Sequence, residues 1–155
     1  MSLEQALDQL QSQLGQETHV SDWVDITQQR VDAFADATSD HQWIHVDPVR
    51  AASESPYGGA IAHGYLTLSL YPMLRGLVDE SRPLLPGVQR VINYGINKLR
   101  FPNAVKVGAR VRARCTLAAV EPIAGGLQMV ENVSIEVENE VKPACVAELI
   151  MRLYF

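Results

Sequence analysis

Residues 64–77 read Gly-Tyr-Leu-Thr-Leu-Ser-Leu-Tyr-Pro-Met-Leu-Arg-Gly-Leu, and no other stretch constrains the fold as strongly. Leu66, Leu68, Leu70, Tyr71, Met73 and Leu74 leave almost no polar face. A helix that is apolar all round must be surrounded by protein. Pro72 removes one backbone donor inside it and predicts a bend. Beyond this helix the pattern switches to a period of two. Gly87–Phe101, Gly108–Val120, Leu127–Val137 and Ala144–Phe155 read as four long strands. In the second, Ala109, Val111, Ala113, Cys115 and Leu117 alternate with arginines; in the fourth, Ala147, Leu149, Met151, Leu153 and Phe155 form the apolar row. One apolar helix followed by long, one-sided strands predicts an α+β chain, a curved antiparallel sheet wrapped around a long central helix.

The residues before that helix are mostly helical. Ser2 and Gln5 make a capping box, and Leu3, Leu7, Leu10 and Leu14 form a stripe that Gly15 ends. Residues 18–26 read as extended. Thr27 caps a second helix carrying Val31, Phe34 and Ala35, which runs out near Ser39. Asp40-His41-Gln42-Trp43-Ile44-His45-Val46-Asp47-Pro48 reads as a loop, and Pro48 opens a short helix over Val49–Ala52. With 155 residues and no linker, the chain is expected to be one domain, 1–155, with 1–17 as an N-terminal helical extension.

Composition excludes several classes. Two cysteines without a CxxC argue against a disulfide scaffold or a thiolate zinc site, and Cys115 and Cys145 read as packed small hydrophobes. A net charge of −5 argues against a nucleic-acid partner. The unbroken apolar part of the central helix is too short to span a bilayer, and Met1–Gln5 lack the basic start of a signal peptide, so a cytoplasmic protein is expected. The charge is segregated. Residues 1–41 hold eight acids and one Arg, residues 81–120 hold eight bases and no acid, and residues 121–140 hold five Glu and no base. Cross-strand pairing accounts for this most simply; a second reading gives part of the basic block to the phosphates of an anionic ligand.

Three chemistries fit the histidine-bearing loop. A metal site would draw on Asp40, His41, His45, Asp47 and His63, but HxxxH is informative only on a helix. A nucleophilic Ser39 or Ser69 lacks the GxSxG elbow. General acid–base work on water is the third: a carboxylate at Asp40, an imidazole at His45 that titrates near neutrality, and the N–H of Gly64 as an oxyanion donor. Gly64 would also let a ligand carbonyl approach closely. Singly, each residue has a plainer reading: Asp40 as a turn residue, Asp47 as the cap before Pro48, His63 as a cap or packing residue, Trp43 and Tyr57 as core or pocket wall.

Asp40-His41-Gln42-Trp43-Ile44-His45-Val46-Asp47-Pro48, then Gly59–Leu70 with Ala62-His63-Gly64, then Asn93–Pro102 with Val107-Gly108, resemble the MaoC-like dehydratases, or R-specific enoyl-CoA hydratases. The nodulation protein N-like subgroup is the nearest, and the resemblance spans roughly residues 20–155. It implies a hot-dog fold, a homodimer with sites where the subunits meet, and reversible hydration of trans-2-enoyl-CoA to (R)-3-hydroxyacyl-CoA. It assigns Asp40 and His45 as the catalytic pair and Gly64 as the oxyanion amide. Trp43, Tyr57, His63, Lys98 and Arg100 are then expected at the substrate, with no cofactor and no metal. Two departures stand out: Gln42-Trp43 replaces the pattern's Asn-Pro, and Pro72 stands where many hydratases carry a serine. A hot-dog thioesterase and a non-catalytic acyl-thioester-binding dimer are the alternatives.

Overall fold

The computed structural model describes all 155 residues. Helix α1 (Leu3–Gln11) begins with the expected capping box between Ser2 and Gln5. Two short strands follow, β1 (Glu17–Val20) and β2 (Val24–Asp25), where one extended segment is predicted. Thr27 accepts from the Arg30 N–H and caps α2 (Gln28–Thr38), which ends on Ser39 in a left-handed conformation. The predicted loop 40–48 contains a single helical turn, α3 (Trp43–Val46). Helix α4 (Pro48–Glu54) follows at once, with the Asp47 carboxylate capping it through the Arg50 N–H.

The central helix is in two pieces, α5 (Gly64–Ser69) and α6 (Tyr71–Leu74), joined at Leu70. Pro72 is the cause: it has no N–H for the carbonyl one turn back, so the ladder breaks there. The expectation that protein surrounds this helix holds on one side only. Leu66, Leu70, Tyr71 and Leu74 are buried, whereas Tyr65, Ser69 and Met73 form an exposed strip at intervals of four, Tyr65 being 67% exposed.

Six strands make the sheet, four of them long: β3 (Arg90–Arg100), β4 (Arg110–Ile123), β5 (Gly126–Val137) and β6 (Cys145–Tyr154). All pair antiparallel in the order β1-β4-β5-β6-β3, with β2 also on β4. Alternation sets which face is which. Val111, Ala113, Cys115 and Leu117 of β4, Leu127, Met129, Val133 and Ile135 of β5, and Ala147, Leu149, Met151 and Leu153 of β6 point to the core that α5 and α6 fill. Ala6 and Leu10 bring the N-terminal helix into that same core. Both cysteines are free and buried, and burial pushes the Cys115 thiol up to about 12, so they pack as small hydrophobes.

The segregated charges meet across strands. Arg110 pairs with Glu138, Arg112 with Glu136, Arg114 with Glu136 and Glu17, and Lys98 with Glu148. The basic β4 and the acidic β5 are therefore neighbouring strands of one sheet, while Lys98 of β3 meets Glu148 of β6. Strand β3 is an edge, paired only with β6, and it carries exposed Ile92, Tyr94 and Ile96 beside the strip on α5 and α6. No helix is long and apolar enough to cross a membrane.

Candidate active site

Residues 60–62 form the scaffold of the site. Ala62 N–H donates to the Val105 carbonyl, Val107 N–H to the Ala60 carbonyl, and Ile61 N–H to the Ile44 carbonyl. This short stretch thus ties α3 to the segment after β3 and delivers His63 to the start of α5. His45 sits inside α3, buried, with Nδ1 2.7 Å from the Ile61 carbonyl. A carbonyl only accepts, so Nδ1 carries the proton and the neutral ring presents its lone pair on Nε2. From α2, Gln28 holds the other end of the residue, its Nε2 donating to the His45 carbonyl at 2.7 Å.

Asp40 follows the left-handed Ser39 that terminates α2. Its carboxylate is 42% exposed. The Gln42 main-chain N–H and side-chain amide both donate to its Oδ1, at 3.4 and 3.3 Å. His63 is buried, with Nε2 2.9 Å from the Asp40 carbonyl and its ring stacked on His45 at 3.8 Å between centroids. One ligand-capable atom each of Asp40, His45 and His63 lie within 4.8 Å of one another. Burial, more than anything else, lowers the His45 pKa below its ordinary value. The Ile61 hydrogen bond opposes that shift, His63 adds to it, and Asp40 opposes it.

Of the residues the metal reading draws on, Asp40, His45 and His63 are brought together, and His41 and Asp47 are not. His41 is exposed and bonded to Asp36, which raises its pKa, and Asp47 is occupied as the α4 cap. The two stacked imidazoles lie nearly parallel, 25° apart, and His45 Nδ1 and His63 Nε2 are each taken by a main-chain carbonyl. Gly64 is the first residue of α5, and its N–H has no acceptor within the helix. A Cβ there would meet the Phe101 ring at 3.1 Å, so the missing side chain lets Phe101 pack closely against the start of α5. Trp43 is half-buried with the Arg50 guanidinium 4.4 Å over its ring, and Tyr57 is exposed. Lys98 and Arg100 lie toward the end of β3 that leads into Phe101. Lys98 pairs with Glu148, and Arg100 donates to the Leu99 carbonyl. Both line a groove of about 640 Å³ floored by Thr116, Asn132 and Ser134.

Sequence reasoning missed Gln42, Gln28 and the Ile61 carbonyl as partners of the pair. Gln42 had a legible signal, since a residue two beyond an Asp is where an Asx turn donates. Gln28 and Ile61 are long-range partners with none.

A split helix packed on an antiparallel sheet defines a hot-dog fold, here with a carboxylate and two imidazoles grouped ahead of the helix. Residues 9–139 match the family model "MaoC like domain", and the chain belongs to that family. It is 52% identical over 139 residues to 3-hydroxyacyl-thioester dehydratase Z of Mycobacterium tuberculosis, covering 89% of each chain. It is 43% identical over 154 residues to Nodulation protein N of Rhizobium leguminosarum bv. viciae, covering 98% of this chain and 93% of that one. Among solved structures, an (R)-hydratase from A. caviae superposes with a TM-score of 0.63 at 25% identity, over 87% of this chain and 96% of that one.

Proposed function

We propose that the protein is a hydro-lyase that interconverts trans-2-enoyl-CoA and (R)-3-hydroxyacyl-CoA, with Asp40 and His45 as its acid–base pair. The observation that carries this reading is the closeness of the Asp40 carboxylate to an imidazole whose Nδ1 proton is committed to Ile61. Two acceptors holding the two hydrogens of one water stand about 4.5 Å apart at ordinary hydrogen-bond lengths, and Asp40 and His45 each bring a ligand-capable atom into one group within 4.8 Å. The water oxygen then faces C3 of the enoyl thioester. One acceptor takes a water proton as the C–O bond forms and returns it to C2, so hydroxyl and hydrogen both come from that water. The Gly64 N–H supports the thioester oxygen while it is enolate-like. The dehydratase and hydratase names of the relatives support the same reaction class.

The test is loss of the conjugated enoyl absorbance with crotonyl-CoA, followed by analysis of product configuration. Hydration to the R alcohol is expected. No turnover of any enoyl thioester, with thiol release from saturated acyl-CoA instead, would establish the thioesterase.

Lys98 and Arg100 are assigned to the phosphates of the carrier end of the substrate. Lys98 is 78% exposed, so its contact is worth little: Lys98→Ala and Arg100→Ala are each expected to raise KM about two- to fivefold with kcat unchanged. An unmoved KM in both removes them from the substrate.

The working form is read as a cytoplasmic homodimer without a cofactor. The unpaired donors and acceptors of edge strand β3, beside Ile92, Tyr94, Ile96, Tyr65 and Met73, are a surface that a second copy would cover. Light scattering should return twice the chain mass of 17.1 kDa. Tyr94→Lys with Ile96→Lys should halve it; a wild-type monomer that retains activity on dilution overturns the assignment.

A further inference from the structure

We propose that His63 is a positioning residue that clamps the main chain of Asp40 and the ring of His45 into one arrangement, without itself touching substrate. The inference rests on the acid–base reading above. His63 is only 3% exposed, which leaves almost no surface for a ligand. Its Nε2 donates across 23 positions of sequence to the Asp40 carbonyl. That bond restrains the loop at the point where α2 has just ended on a left-handed Ser39. One ring contact is with His45, stacked at 3.8 Å, and another is with Phe34 of α2 at 4.9 Å. The His63 ring therefore touches both members of the pair and the helix before them, and its place is fixed by the paired stretch 60–62. Its Nδ1 is buried and has no hydrogen-bond partner within the chain.

The clamp has an electrostatic side. The groups facing His45 are the Asp40 carboxylate from the loop after α2, the His63 ring ahead of α5, the neutral Gln28 amide from α2 and the Ile61 carbonyl. Two stacked imidazoles resist becoming charged together. Removing the His63 ring removes that opposition and admits water, and both effects raise the His45 titration midpoint. The acid limb of activity would then move to higher pH.

Two substitutions separate the parts of the clamp. His63→Gln keeps a donor for the Asp40 carbonyl and gives up the ring; His63→Phe keeps a stacked ring and gives up the donor. In each, kcat for enoyl-thioester hydration is expected to fall about 10- to 100-fold, the cost of slightly misplaced groups, with KM within twofold of the parent. NMR titration of the imidazoles, with the His45 signal assigned by its loss in His45→Gln, should show the midpoint rising in both, and further in His63→Gln, which also admits water. If His63→Phe does not fold, His63→Gln decides alone. An unmoved midpoint in folded variants overturns the clamp, as does a raised KM with kcat retained, which would make His63 a substrate contact. The titration does not depend on turnover, so a parent that hydrates nothing defeats the hydratase reading while the clamp is still judged by the midpoint.

Discussion

Asp40→Asn and His45→Gln are each expected to lower the hydration rate about 10²–10⁴-fold, the usual contribution of a general acid or base. Asn keeps the shape of the Asp40 side chain and its Oδ1 contact with Gln42, and removes only proton affinity and charge. Gln at His45 can keep a hydrogen bond to Ile61, but it ends the ring's ability to carry a proton. In the proposed mechanism both groups hold one water, so their losses should not multiply, and the double variant should be little worse than the poorer single. The two differ in stability. Asp40 is well exposed, so Asn should leave the melting temperature almost unmoved. His45 is buried, bonded to Ile61 and stacked on His63, so its replacement should destabilise by about 1–3 kcal/mol, the range for a disrupted buried polar group. Rates and melting curves for both singles and the double check this. Near-parental turnover in either single variant sinks the mechanism.

That difference shows where the sequence was readable. Asp40 and His45 stood out because their spacing, together with Ala62-His63-Gly64 further on, matched one known constellation. The stretch between them read as a loop, since Trp43, Ile44 and Pro48 give no helical period. Four residues are one turn, too short for periodicity to register, and α3 exists because it is pinned by tertiary bonds at Ile44 and His45. The four strands were legible almost to their ends, because alternation over ten or more residues is a strong signal. The broken central helix was half legible. Pro72 announced the bend, while the exposed strip at Tyr65, Ser69 and Met73 could not be foreseen, because an all-apolar pattern does not say whether the same chain or a second copy covers it. Lys98, Arg110, Arg112 and Arg114 of the basic block resolved as the plainer reading had it, as cross-strand pairs. Lys98 and Arg100 occupy that same surface, and only KM tells pairing from ligand binding.

One consequence of strand parity carries the largest expected stability effect. Positions 127, 129, 133, 135 and 137 of β5 face the core, so Glu131 must face it too. It is fully buried and accepts from two residues of the central helix segment, Tyr71 and Arg75. Tyr71 O–H donates to Oε2 at 2.6 Å, and the Arg75 guanidinium forks onto both oxygens with Nε at 3.0 Å and Nη2 at 2.9 Å. Burial, with Glu131 beside it, pushes the Tyr71 hydroxyl far above its ordinary pKa, so it stays a donor. This network fastens α6, the piece beyond the Pro72 break, to the sheet. Glu131→Leu strands a buried guanidinium and should cost about 3–5 kcal/mol, a fall in melting temperature on the order of 10 °C for a domain of this size. Arg75→Met strands the carboxylate and should cost a similar amount. The double variant Glu131→Leu with Arg75→Met removes both charges, and it should recover most of either loss, because a buried pair replaced by apolar groups is often neutral. Denaturant melts of the two singles and the double measure the coupling directly. If the single losses simply add, the two charges are not a unit and α6 is held to the sheet by packing alone.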